Sequence, residues 1–197
     1  MKISKGAAIV VGVALAAGVS LVAEQTRWWR QSNFEEFEKG TAKGVALRSD
    51  GTLRLAPKFA QVADPNVAYL WAIKADSKGN LYAAGGTNAK VVRLDAAGAA
   101  TTVFESSEMT AQAVVLDEKD NLYVATSPDG KVYKVPAKGE KSVFFETKTK
   151  YIWDLALAAD GTLYVATGDK GEIFAVGEDG KGEVYYRSEE THVRSLA

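Results

Sequence analysis

From residue 69 onward, short apolar runs alternate with turn-forming clusters, and they do so on a fixed period. Leu81-Tyr82, Leu122-Tyr123 and Leu163-Tyr164 recur at intervals of 41 residues. The same offset, without a gap, aligns Val91-Val92-Arg93-Leu94 with Val132-Tyr133-Lys134-Val135 and Ile173-Phe174-Ala175-Val176. Gly98 matches Gly139 and Gly180, and Val103-Phe104 matches Phe144-Phe145 and Tyr185-Tyr186. Tyr69-Leu70-Trp71-Ala72-Ile73 returns two periods later as Tyr151-Ile152-Trp153-Asp154-Leu155. Between them, Thr110-Ala111-Gln112-Ala113-Val114 keeps only the small and aliphatic positions, and His192-Val193-Arg194-Ser195-Leu196 starts the pattern once more.

Each unit predicts four short strands. The first is apolar on alternate residues around Trp71, Gln112 or Trp153, as a half-buried strand requires. A turn follows at Ser77-Lys78-Gly79-Asn80, Glu118-Lys119-Asp120-Asn121 or Ala159-Asp160-Gly161-Thr162. The second strand reads Leu-Tyr-Ala/Val-Ala; Gly- and Asp-rich turns then lead to a third strand and to a fourth that ends on aromatics. Four strands in roughly 40–45 residues is the length of one β-propeller blade. Helical repeats of that length lack this density of turns and of β-branched and aromatic residues. The prediction is an all-β chain, a β-propeller of four-stranded blades behind an N-terminal apolar helix.

The run Asp160-Gly161-Thr162-Leu163-Tyr164-Val165-Ala166-Thr167-Gly168, with its counterparts one and two periods earlier, resembles the NHL, SMP-30 and WD40-like group of bacterial propellers. The resemblance covers residues 69–197 and, weakly, 44–66. The Gly-His and Trp-Asp markers of true WD40 blades are missing, since Trp153-Asp154 falls on the wrong strand. The resemblance implies an architecture that hosts many functions. SMP-30-type sugar lactonases hold calcium through acids and asparagines on the innermost strands. This chain has Trp71, Gln112 and Trp153 near those positions, which argues against that activity.

The blades run 69–109, 110–150 and 151–191, and 192–197 reads as the innermost strand of another. Residues 44–66 form a partial blade, with two strands around Ser49-Asp50-Gly51-Thr52. Propellers need roughly four to eight blades to close, and open strand edges invite aggregation. The expectation is the N-terminal part of a longer ring, whose last blade the N-terminal strands complete. Two alternatives stand beside it: a four-bladed ring closed by a composite blade, and a ring shared in trans by several chains.

The first 23 residues differ from the rest. Lys2 and Lys5 precede an uncharged, almost wholly apolar run from Gly6 to Ala23, the layout of a signal peptide or retained anchor. This predicts an exported protein: periplasmic, extracellular or membrane-anchored through this segment alone. Residues 24–43 read as an amphipathic helix or linker, with Trp28, Trp29, Phe34 and Phe37 among charged residues. No cysteine is present, which excludes disulfides, thiolate nucleophiles and Cys-ligated metals. The net charge of −1 gives no basic face for nucleic acid. With a single histidine, His192, no two-histidine metal site can form within one chain. No cofactor or metal motif stands out, and the hairpin glycines Gly85-Gly86 and Gly168 precede no helix, as a phosphate loop would need.

Function in such a fold is expected in the loops entering each first strand and in the turns between second and third strands. The candidates are Tyr69, Trp71, Asn88, Asp129, Tyr151, Trp153, Asp154, Asp169, His192 and Arg194. Trp71 and Trp153 suit either inter-blade packing or stacking on a sugar or aromatic ligand. Tyr82, Tyr123 and Tyr164 recur in every blade and read as structural. Asp154 is the one acid in a first-strand pattern and needs a partner; Arg194, one residue short of the equivalent site a blade later, is the candidate for an ion pair. The leading expectation is a non-catalytic scaffold for a protein or glycan ligand. A hydrolase or lyase of the lactonase kind, its site completed by further blades, is the alternative.

Overall fold

The computed structural model describes residues 30, 32–58, 60–86 and 88–197. The expected signal or anchor segment lies outside them. The chain divides into two compact units, Met1–Phe59 and Ala60–Ala197.

In the first unit, helix α1 (Phe34–Glu38) is the described part of the expected amphipathic segment, and it is only five residues long. Asn33 caps it: the Glu36 N–H donates to Asn33 Oδ1 at 2.9 Å, and the Ser32 N–H donates to the Glu36 carboxylate at 2.8 Å. No described helix is long and apolar enough to cross a membrane. Strands β1 (Val45–Leu47) and β2 (Leu53–Leu55) pair antiparallel around the expected turn, with Ala46 opposite Arg54. Asp50 fixes that turn by accepting from the Thr52 N–H and hydroxyl, and these bonds hold its carboxyl below the ordinary value.

The second unit is three four-stranded antiparallel sheets. The first holds β3 (Leu70–Ala75), β4 (Leu81–Gly85), β5 (Lys90–Leu94) and β6 (Ala100–Phe104). The second holds β7 (Thr110–Leu116), β8 (Leu122–Ser127), β9 (Lys131–Val135) and β10 (Ser142–Glu146). The third holds β11 (Ile152–Leu157), β12 (Leu163–Thr167), β13 (Glu172–Val176) and β14 (Gly182–Arg187). Within each sheet the strands follow chain order, and the first strands β3, β7 and β11 lie against one another between sheets. These are propeller blades.

Side chains from facing blades interlock in two apolar layers. One, between the first and second blades, includes Val91, Phe104, Ala111, Val114 and Leu122. The other, between the second and third, includes Val132, Ile152, Leu155, Leu163 and Phe174. Each such large side chain contributes roughly 1.5–3 kcal/mol on burial. The ring contacts repeat with the sequence. Phe104 meets Tyr133 at 5.1 Å, as Phe145 meets Phe174 at 5.4 Å one period later. Tyr123 meets Phe144 edge-on at 5.1 Å, as Tyr164 meets Tyr185. The recurring tyrosines are therefore packing residues.

The hairpins joining first to second strands are also built alike. Asp76 accepts from the Lys78 and Asn80 N–H groups and from the Asn80 amide. Asp117 does the same with Lys119 and Asn121. For both acids partial burial raises the carboxyl, but these hydrogen bonds outweigh it and the net shift is downward.

Two features depart from the alternation read in sequence. Every first strand carries a register shift against its second: between Leu70 and Ala72, between Ala111 and Ala113, and between Ile152 and Asp154. The residue left without a partner is Trp71, Gln112 or Trp153. A bulge of this kind re-aims its side chain. Second, residues 192–197, expected as an innermost strand, carry no strand. They run beside the third blade, with the Val193 N–H donating to the Thr167 carbonyl at 3.0 Å.

Candidate functional site

The three bulged residues meet in one place. Trp71, Gln112 and Trp153 all line a hollow of about 530 Å³, together with Met109, Thr110, Ser127, Pro128, Tyr151 and Arg194. It lies at the ends of the blades where first strands begin and second strands finish. A second hollow of about 860 Å³ adjoins it through Trp71, Met109, Thr110 and Pro128, and adds Tyr69, Asn88, Glu108 and Asp129. Both volumes suit small-molecule sites.

At the third-blade end, Trp153 is the hub. Tyr151 stacks on it at 5.3 Å with the planes 17° apart, and His192 meets it edge-on at 5.7 Å. The Trp153 indole N–H donates to His192 Nδ1 at 3.1 Å. The Arg194 guanidinium lies 5.0 Å over the Trp153 ring, a cation–π contact. Gly168 makes this possible: a Cβ there would stand 2.6 Å from His192 Nδ1 and 2.8 Å from Trp153 Nε1. The equivalent Gly86 leaves room for the Tyr69 ring, which a Cβ would meet at 2.2 Å. Tyr69 in turn packs against Trp71 at 5.6 Å.

The wall between these ends holds unsatisfied polar groups. Ser127, at the position equivalent to Gly86 and Gly168, is only 5% exposed, and neither its Oγ nor Thr110 Oγ1 finds a hydrogen-bond partner among the described residues. Buried hydroxyls without partners are uncommon and costly. Beside them, the buried Glu108 carboxylate accepts from the Asp129 N–H at 3.2 Å and from Lys131 Nζ at 3.3 Å. Lys131 also pairs with Asp129 at 2.9 Å. The Asp129 and Glu108 carboxylates push the Lys131 ammonium well above its usual range, and Lys131 lowers Asp129.

Seven of the ten candidates thus line the joined hollow: Tyr69, Trp71, Asn88, Asp129, Tyr151, Trp153 and Arg194. His192 supports it through Trp153. Asp154 and Asp169 do not line it. Asp169 accepts from the Lys150 N–H at 3.0 Å, which ties the β12–β13 turn to the loop entering β11. The expected Asp154–Arg194 ion pair is not formed. Asp154 instead accepts from the Leu155 and Leu196 N–H groups, each at 2.9 Å, and from the Ser195 hydroxyl at 3.4 Å. Ser195 is the true equivalent of Asp154 in the next unit, and Arg194 at the bulge position turns to Trp153 instead. Trp71 is not inter-blade core; it is 53% exposed.

Sequence reasoning placed Thr110 and Ser127 in the loops where function is expected without making them candidates, and it passed over Glu108, Met109 and Lys131. Only Ser127 carried a signal, as the one non-glycine at its repeat position. Among the described residues no group of three or more His, Cys, Asp or Glu is placed to hold a metal ion.

No protein-family model matches the chain, and no curated protein matches it. Solved structures do. Virginiamycin B lyase from Staphylococcus aureus matches with a TM-score of 0.53 at 14% identity, over 72% of this chain and 47% of that one. A luciferin-regenerating enzyme matches at 0.53 and 18% identity, over 65% and 49%. Regucalcin from Agrobacterium tumefaciens, a calcium-binding protein, matches at 0.53 and 16%, over 71% and 51%. The chain spans about half the length of these proteins. What they share with it is the fold, a β-propeller.

Proposed function

We propose that the protein is a glycan-binding β-propeller acting outside the cytoplasm, with the joined hollow as its ligand site. The observation that carries this reading is the repeated strand bulge. It turns Trp71, Gln112 and Trp153 out of their sheets into one hollow. A sugar offers an apolar ring face to an aromatic platform and hydroxyls to surrounding polar groups. Trp71 supplies the exposed platform, and Gln112, Thr110 and Ser127 supply hydrogen-bonding groups. A protein segment is the competing occupant, favoured less by these isolated hydroxyls than a polyol is.

The test is titration of the purified protein with neutral and acidic oligosaccharides, followed by tryptophan fluorescence and calorimetry. Saturable binding that Trp71→Ala abolishes is the expected result. The absence of binding to every oligosaccharide tried would end the reading. Export rests on the Lys2/Lys5 and apolar 6–23 layout, and cell fractionation checks it.

A second reading has its own support: the fold neighbours are a lyase and other enzymes of propeller fold. On this view the hollow is half of an active site. Metal-dependent opening of a lactone by the purified protein would establish it.

A further inference from the structure

Resting on the glycan reading, one group in the hollow narrows the ligand class. Arg194 makes no ion pair and no hydrogen bond among the described residues; its only contact of note is the Trp153 ring. A guanidinium carries five N–H donors in a planar fork that matches a carboxylate. Here the fork is held by stacking rather than by an acid, so its donors remain available. The acid within reach by sequence, Asp154, is committed to the Leu155 and Leu196 N–H groups.

The charges of the hollow are also sorted. In the part shared with Tyr69 and Asn88 the charged lining residues are Glu108 and Asp129, and both pair with Lys131. The part holding Gln112, Tyr151 and Trp153 has Arg194 as its one charged lining residue. A guanidinium fork takes a carboxylate in a bidentate, charge-assisted pair.

Next to it, two further groups lack partners. Ser127, lining the same hollow, is 5% exposed with its Oγ unsatisfied, and Thr110 Oγ1 is unsatisfied as well. A buried hydroxyl without a partner among the described residues calls for an explanation, and a bound water or ligand is one. A ligand bearing both a carboxylate and neighbouring hydroxyls on a ring with an apolar face satisfies all of these groups together.

We infer that the ligand is an acidic oligosaccharide whose uronate carboxylate is bound by Arg194, with the sugar face on Trp71 and its hydroxyls toward Ser127, Thr110 and Gln112. Trp153 is a positioning residue that holds the guanidinium in place.

The experiment compares oligogalacturonides with their methyl esters and with neutral malto-oligosaccharides of the same length, by calorimetry on the full chain. The acid should bind about tenfold to a hundredfold more tightly than its ester, the range of one charged hydrogen-bonded pair. Arg194→Gln should erase that preference. The side chain is exposed and unpaired, so the variant should fold. Trp153→Phe should weaken the acid more than the ester, because it loosens only the cation. If acid and ester bind alike and Arg194→Gln changes nothing, the hollow binds glycans but the acidic class is wrong. If no oligosaccharide binds, acidic or neutral, the glycan reading falls with it.

Discussion

The indole N–H of Trp153 donates to Nδ1 of His192 at 3.1 Å. An imidazole nitrogen that accepts a hydrogen bond carries no proton, so neutral His192 holds its proton on Nε2. It therefore presents a donor rather than a base at that nitrogen. This argues for a positioning role, with His192 bracing Trp153 and through it Arg194. His192 is the chain's only histidine, so its imidazole nitrogens can be read without assignment. A ¹⁵N spectrum at alkaline pH should show the Nε2–H tautomer. Gly168→Ala, whose Cβ would press on both rings, should convert it to a tautomer mixture. A wild-type spectrum already showing the mixture would mean that the hydrogen bond does not hold in solution.

Equivalent positions in different blades should differ sharply in what they contribute. Ile73, Val114 and Leu155 are spaced by the period, yet Leu155 is 3% exposed within the second inter-blade layer while Ile73 is 57% exposed. Leu155→Ala should cost about 2–5 kcal/mol, the usual range for a buried aliphatic truncation. Ile73→Ala should stay within about 1 kcal/mol. Urea unfolding of both variants checks this. A comparable loss at Ile73 would show that its flank is covered in solution, by a second copy or by further chain.

These contrasts show what was legible in the sequence. The period fixed the strand order because its turns and ring contacts recur: Asp76 with Asn80 returns as Asp117 with Asn121, and Tyr123 on Phe144 returns as Tyr164 on Tyr185. The site was half legible. The loop positions Tyr69, Tyr151 and Asn88 follow from where first strands start and second strands end. The direction of Trp71 and Trp153 does not, because strict alternation cannot reveal a bulge that adds one residue to a strand. The same blind spot put Arg194 beside Asp154 instead of on Trp153. Glu108 and Lys131 lie 23 residues apart with no pattern linking them, and only the folded blade brings them within 3.3 Å.

Acid should destabilise the hairpins in a defined window. The Asp117 carboxyl is lowered on folding, chiefly because the Asn121 and Lys119 hydrogen bonds overcome the effect of burial. A folded value below the unfolded one means the unfolded state binds the proton more readily. The contribution is thus complete above the unfolded value of about 4 and is lost as pH falls through the depressed folded value. Asp117→Ala should cost about 1–2 kcal/mol at neutral pH through its lost hydrogen bonds. It should also flatten the fall in thermal stability below about pH 4. An unchanged acid limb would place the acid sensitivity elsewhere.

The pair beneath the hollow should show coupling rather than simple addition. Glu108 is 7% exposed and depends on Lys131 Nζ and the Asp129 N–H for its partners. Lys131→Met removes the cation and leaves a buried carboxylate, which is worse than having neither charge. Glu108→Gln keeps the shape and leaves Lys131 with Asp129, a contact it already makes at 2.9 Å. The single Lys131→Met variant should therefore be the least stable, and adding Glu108→Gln to it should restore part of the loss. A denaturant cycle over the four proteins measures the sign directly. Additive losses would mean that Glu108 is already served by water when Lys131 is present.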